Sequence, residues 1–324
     1  MIDLFGNSTE VKPAIQRDVL AERLKNNLQC LKVNDFVKLL TNEFNEIIQY
    51  VDLSNGEKCC QKTSLLFNPH RLEIKTKSSK YSIFDALKTD SFISGLARAI
   101  LFKKTKVNEL LYQVLQLGIN GIQYVNEFPP FVARDIYLEY GLDMNSKILD
   151  PCAGWGGRMI GASVVSNNYE CFEPSTKTFE GLWNLYDFIK SMNHGFVAKI
   201  HKKGFECSNL EFNTYDFALT SPPYFDTEVY SNEDTNSLVK FNTFDKWCEG
   251  FYLPLVEKTM NYLKPGKTFM INIGSRIYPL NDVLTSNFSD KYEINKKGNY
   301  LSGNGGLGKE GEGEMFYSIK KPEI

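Results

Sequence analysis

The chain has 324 residues, 42% of them hydrophobic, and a formal net charge of −2. That is enough apolar material for one large domain or two, and the near-neutral charge weakens nucleic-acid binding without excluding it, because local basic patches decide phosphate affinity. Seven cysteines, at 30, 59, 60, 152, 171, 207 and 248, form no Cys-x-x-Cys pair and stand beside three histidines. That scatter argues against a disulfide framework and a zinc site, so no metal is expected. The start, Met1-Ile2-Asp3-Leu4-Phe5-Gly6, lacks the basic flank and apolar core of a signal peptide, and no stretch approaches the ~20 apolar residues of a membrane span. The expectation is a cytoplasmic protein without membrane contact.

In chain order, residues 17–50 carry Val19-Leu20, Leu24, Leu28, Phe36-Val37, Leu39-Leu40, Phe44 and Ile47-Ile48 at helical spacing. Residues 51–80 are mixed and turn-rich, and 71–77 alternate like an exposed strand before a Ser78-Ser79 turn. Helical patterning resumes over 93–102 and 107–117, ending at Gly118. Residues 1–125 therefore read as a mainly helical accessory region without repeats, and residues 126–324 as a second domain. Three basic clusters are either phosphate contacts or solvated faces: Arg71, Lys75, Lys77 and Lys80; Lys103, Lys104 and Lys106; Lys296-Lys297.

Phe128-Pro129-Pro130-Phe131 starts a helix through Tyr140, closed by Gly141. Lys147-Ile148-Leu149-Asp150 is a short apolar strand that meets Pro151 and a glycine-rich turn, Cys152-Ala153-Gly154-Trp155-Gly156-Gly157-Arg158. In an open α/β sheet the first such turn lies where ligands bind, and glycines let a ligand approach the backbone. The spacing is neither G-x-G-x-x-G nor a P-loop. A second strand runs through Tyr169 and ends at Glu173, whose carboxylate suits a ribose diol or caps the next helix.

Residues 215–219 are a buried strand closed by Thr220-Ser221-Pro222-Pro223-Tyr224. Two prolines forbid its continuation and turn peptide carbonyls outward. With a hydroxyl before them and a ring after, they form a cup of acceptors with a stacking platform, suited to a flat molecule that bears an amino group. An acidic loop over 225–238, an amphipathic helix over 244–263, a Lys264-Pro265-Gly266 turn and a fifth strand over 268–273 follow. Residues 298–313 hold seven glycines and read as disordered or as a mobile flap; 314–320 alternate as a last, antiparallel strand. The expected fold is α/β: a seven-stranded, mostly parallel sheet with helices on both faces.

Together these residues resemble the S-adenosylmethionine-dependent methyltransferases that modify exocyclic amino groups of DNA bases, at cytosine N4 or adenine N6. Asp150 to Gly157 is similar to their Asp-Pro-x-x-Gly-x-Gly loop and Ser221-Pro222-Pro223-Tyr224 to their catalytic motif, within a resemblance over roughly residues 128–321. It implies a Rossmann-like methyltransferase fold with S-adenosylmethionine as cofactor. Asp150, Pro151, Ala153, Gly154 and Gly156 would surround the methionine part, Glu173 the ribose, and Glu206, after the third strand, the adenine. From the loop's position at the switch point and its glycines, Asp150→Ala is expected to abolish cofactor binding and spare the fold. The helix carrying Phe131 would pack beside the cofactor, with Phe131 itself read first as core. Ser221 and Pro222 would hold the target amino group while Tyr224 stacks on its ring. Trp155 and the Gly157-Arg158 pair depart from the usual Ser and Gly-Thr.

An aromatic amino nitrogen is a poor nucleophile. Acceptors on its hydrogens favour a pyramidal nitrogen with a localised lone pair, so placement replaces covalent catalysis. Cys152 is expected to pack, not attack. The acceptor is expected to be DNA, flipped from the duplex or single-stranded; by the resemblance, serine before the prolines leans toward cytosine N4. RNA, a protein glutamine amide and a non-catalytic binding module are the alternatives. Sequence choice is expected in residues 1–125. No residue specifies a restriction partner or an oligomeric state.

Overall fold

The structure, a computed structural model, describes residues 13–41, 43–77, 79–103, 125, 127–274, 277–298 and 314–323. Expected features at 1–6, 107–117 and 299–313, together with Lys104 and Lys106, lie outside the described residues. The first helices are α1 (Pro13–Leu28), α2 (Val33–Leu40), α3 (Glu43–Ser54), α4 (Thr63–Phe67), α5 (Ile83–Ala86) and α6 (Asp90–Lys103). The chain divides into two units: residues 1–43 with 69–126, and residues 44–68 with 127–324. Residues 44–68, read from sequence with the accessory region, thus belong to the unit that holds the sheet.

In the first unit α1 packs on α6. Leu20, Leu24 and Leu28 recur every fourth residue, which stacks them on one buried helix face. Lys25 Nζ reaches Asp90 at 3.0 Å across that contact. The strand expected over 71–77 is not there. Pro69–Glu73 is a 3-10 turn, with only Lys75–Thr76 extended, and Arg71 is 1% exposed beside buried Leu72. Proline at the head of the turn fixes φ near the helical value and removes a ladder donor, and that overrides the alternation. Arg71 therefore leaves the basic cluster; Lys75, Lys77 and Lys80 remain exposed.

The second unit is built on α7 (Pro130–Glu139), β1 (Lys147–Asp150), α8 (Gly157–Ser163), β2 (Asn168–Phe172), α9 (Thr176–Met192), β3 (Val197–His201) and β4 (Tyr215–Thr220). It continues with α10 (Ser237–Lys240), α11 (Phe244–Trp247), α12 (Leu253–Tyr262), β5 (Leu263–Gly274), α13 (Leu280–Phe288), β6 (Glu293–Gly298) and β7 (Glu314–Lys320). The sheet has seven strands in the order β3-β2-β1-β4-β5-β7-β6. The first five are parallel, and β7 runs antiparallel to both β5 and β6. This is the expected Rossmann-like methyltransferase fold. The chain leaves β1 toward β2 on one side and returns to β4 on the other, so the switch point lies at the carboxyl end of β1.

Strand residues alternate between two cores. Ile148, Tyr169, Cys171, Phe217, Leu219 and Met270 face one cluster; Leu149, Phe172, Ala218, Phe269 and Ile271 face the other. Two local departures from the expected elements have physical causes. The Lys264-Pro265-Gly266 turn lies inside the span of β5 as an irregularity, where pairing jumps from Tyr215↔Leu263 to Phe217↔Thr268 and Gly266 takes φ +72. The helix expected over 244–263 is broken by a π turn at Cys248–Tyr252, just ahead of Pro254, which has no N–H to continue the ladder. Lys296 and Lys297 lie exposed on edge strand β6, where lysines discourage further strand pairing.

Candidate functional site

The glycine-rich loop leaves β1 at Asp150, which is fully buried. Its carboxylate accepts Arg158 Nε at 2.8 Å and Nη2 at 3.3 Å, the Tyr169 hydroxyl at 2.6 Å, Thr220 Oγ1 at 3.0 Å and the Cys152 N–H at 3.2 Å. Arg158 also donates to the Cys152 carbonyl and lies 5.1 Å over the Phe128 ring. The arginine that departs from the resembled pattern therefore braces the loop from inside. With five donors already on it, the Asp150 carboxylate shapes the loop through its own neighbours. Burial, then the Asp150 charge, pushes the Cys152 thiol up, away from thiolate chemistry.

Backbone freedom matters at two glycines. Gly154 and Gly156 have φ +54 and +92, a region L side chains rarely occupy. A Cβ on Gly156 would lie 2.4 Å from Leu185 Cδ2, so the loop presses on α9 there; a Cβ on Gly154 would meet nothing within 4 Å. One side of the loop is packed and the other is open to a ligand. Pro151 and Ala153 are buried beneath it, and the Ala153 N–H donates to the Phe172 carbonyl at 3.0 Å.

Glu173 follows β2 directly and is buried. Burial pushes its carboxyl up to about 8, against hydrogen bonds from the Ser175 and Gly154 N–H groups. The Ser175 bond is 2.8 Å long. It supports the entry to α9 and also touches the open glycine of the loop. Glu206, in the turn Phe205–Cys207, accepts Lys240 Nζ on Oε1 at 2.6 Å, while its Oε2 is buried without a hydrogen-bond partner.

Ser221 stands at the end of β4, with its Oγ 3.3 Å from the Tyr224 hydroxyl and 3.4 Å from Asn272 Nδ2 of β5. Pro222 is buried and Pro223 half-buried. The Tyr224 ring packs against Gly274, where a Cβ would stand 2.7 Å from Cε2. Phe225, the next residue, takes φ +54 and is buried in an aromatic group with Phe244, Trp247 and Tyr278 at 5.2–5.9 Å. A bulky residue in the left-handed region is strained, and strain of this kind gathers at working sites. The acidic loop then reaches the segments that follow β1 and β2. Tyr230 meets the Trp155 ring edge-on at 5.9 Å, Glu233 accepts the Thr176 N–H and hydroxyl at 3.0 and 2.6 Å, and Thr235 donates to the Pro174 carbonyl at 3.0 Å.

Most of the residues singled out in the sequence thus converge. Thr220 links the two loops, bonding Asp150 and accepting the Cys152 N–H at 3.0 Å. Phe131 is half-buried and packs against the α7–α9 core. Sequence reasoning missed Asn272, whose signal was a polar residue inside the apolar run of the fifth strand. It also missed Gly274 and the job of Arg158. No family model and no curated protein matches the chain. Solved structures similar to it include an rRNA methylase from Streptococcus thermophilus, at 14% identity, 60% of this chain, 98% of that one and a TM-score of 0.41. A methyltransferase from Pyrococcus furiosus shares 14% identity over 61% of this chain and 89% of that one, with a TM-score of 0.40. An S-adenosylmethionine-dependent methyltransferase from Clostridium acetobutylicum shares 12% identity over 60% and 90%, with a TM-score of 0.42.

Proposed function

We propose that this protein is an S-adenosylmethionine-dependent methyltransferase acting on the exocyclic amino nitrogen of a flipped or single-stranded DNA base, cytosine N4 first and adenine N6 next. The observation that carries the reading is the pair of hydrogen bonds at Thr220 Oγ1, donated to Asp150 and accepted from the Cys152 N–H, which ties the Ser-Pro-Pro-Tyr segment to the glycine-rich loop. The residues fit the cofactor: the open side of Gly154 admits the methionine part, Glu173 suits a ribose diol, and the unpartnered Oε2 of Glu206 suits an adenine amino group. When bound, S-adenosylmethionine supplies an electrophilic methyl group.

The chain's own share is placement. Ser221 Oγ and the Pro222 carbonyl accept the two N–H bonds of the target amine, and that localises its lone pair. Tyr224, seated on Gly274, stacks on the base, an interaction worth ~1–3 kcal/mol. No thiolate is needed, in keeping with the raised Cys152 thiol. We assign the choice of DNA sequence to the first unit, with Lys75, Lys77 and Lys80 as phosphate contacts.

Mass spectrometry of nucleosides from DNA and RNA of cells expressing the protein tests this. N4-methylcytosine in DNA that vanishes with Ser221→Ala is the expected result. A mark confined to RNA would move the acceptor class and keep the chemistry. Unmodified DNA and RNA, with label from the cofactor on protein glutamine, would overturn the nucleic-acid reading. A purified protein that binds no S-adenosylmethionine by calorimetry would overturn the whole.

A further inference from the structure

From the contacts of residue 68 we infer that Asn68, 87 residues upstream of the loop it touches, is a positioning residue for the glycine-rich loop, so that residues 44–68 are part of the cofactor site; the inference rests on the cofactor reading above. Asn68 is fully buried and closes α4. Its Nδ2 donates to the Trp155 carbonyl at 3.0 Å and to the Ser64 carbonyl at 3.2 Å. Two carbonyls facing the same atom fix the amide's orientation, since the reverse flip would set oxygen against oxygen. The Oδ1 left over is buried without a partner.

The helix on the other side is cut to fit. A Cβ on Gly181 of α9 would lie 2.2 Å from Asn68 Oδ1 and 2.6 Å from the Phe67 carbonyl. A glycine in the middle of a helix is unfavourable by itself, and here it makes room for this side chain. The segment has further anchors in the same unit. Arg134 of α7 donates to the Leu53 and Glu57 carbonyls at 2.8 Å each, and the Tyr50 hydroxyl lies 2.9 Å from Ser163 Oγ. Asn68 differs from these anchors because its bond ends on the loop itself, between left-handed Gly154 and Gly156. Trp155 in turn meets Tyr230 of the acidic loop, so the carbonyl pinned by Asn68 belongs to the residue where the two loops touch. A loop held in its binding shape before a ligand arrives spends none of the ligand's affinity on ordering.

The test uses the full chain with Asn68→Ala and Asn68→Asp, and Tyr50→Phe as a control that loosens the same segment without touching the loop. Three quantities are read: melting temperature, S-adenosylmethionine Kd by calorimetry, and hydrogen exchange of the 153–157 amides without ligand. With Asn68→Ala, Kd should rise about tenfold and the loop amides should exchange about tenfold faster, with kcat at saturating cofactor within twofold of the parent. Asn68→Asp should lose more, because it turns an anion toward two carbonyls while keeping the shape; if it does not fold, Asn68→Ala, which leaves no buried charge, carries the test. Tyr50→Phe should lower the melting temperature and leave Kd and loop exchange alone. Unchanged Kd and loop protection in both Asn68 variants would overturn the inference. If the parent binds no S-adenosylmethionine, the proposed function fails, and loop exchange still decides the role of Asn68.

Discussion

At the scale of single residues, the site depends on two buried carboxylates with different tasks. Asp150 and Arg158 form a buried ion pair, and removing one partner of such a pair costs about 3–5 kcal/mol because the other charge is left behind. Asp150→Ala should therefore destabilise the protein by that amount in urea unfolding, and Asp150→Ala/Arg158→Leu should recover at least half of it. The loop's position at the switch point and its glycines led to the opposite expectation, lost binding on an intact fold; equal stability of Asp150→Ala and the parent would restore it. Glu173 carries the pH dependence. Its carboxyl rises from an ordinary 4.5 to about 8 through burial. The folded state thus holds this proton more tightly, so its contribution to stability is complete below pH 4.5 and is lost as pH rises through about 8. Unfolding free energy measured across that window should fall in the parent, and the fall should be reduced in Glu173→Gln. Identical slopes in the two proteins would rule out Glu173 as the titrating group.

At the scale of elements, close backbone contact seats α8 beneath the loop. A Cβ on Gly161 would lie 2.4 Å from the Pro130 carbonyl and 2.8 Å from Ala133 Cβ. Two effects oppose each other in Gly161→Ala. Helix propensity favours alanine by about 1 kcal/mol, whereas overpacking against a backbone oxygen costs about 1–3 kcal/mol. The clash is with main chain that cannot swing aside, so a net loss of stability is expected from denaturant midpoints, and a gain would mean α7 yields more easily than its packing implies. Element positions were largely legible in the sequence. The strand ending at Asp150, the helix opened by Pro129-Pro130 and the strand Glu314–Lys320 all stand as their patterns predicted. The strand expected over 71–77 failed because one proline outweighed four alternations.

At the scale of the molecule, the two units do not follow the linear order of the chain. Tyr50, Leu53 and Cys60 are buried in the core of the sheet-bearing unit, and Arg134 is satisfied by carbonyls of residues 53 and 57. Cutting at residue 125 would remove all of them and strip the buried Arg134 guanidinium of two carbonyl acceptors, leaving it Asp135 alone. A protein of residues 126–324 should therefore lose near-ultraviolet dichroism and its cooperative thermal transition. Joining residues 44–68 by a Gly/Ser linker to 127–324 should bring the transition back. A sharp, reversible melt of 126–324 alone would show that the segment is dispensable.

Local chemistry decided what the sequence by itself could determine. Prolines and glycines break or end strands, apolar runs bury where they are long enough, and so the sheet, its glycine-rich turn and the end of β4 before Ser221-Pro222-Pro223-Tyr224 were readable in the sequence. The tertiary structure alone decided which partners those residues have. Nothing near Asp150 in sequence announces that Arg158 will spend its charge inside the loop, that Asn272 will stand beside Ser221, or that Asn68 will hold the Trp155 carbonyl. Those bonds join side chains brought together only when helices and sheet close on one another, and a buried polar group takes whichever partner the packing delivers.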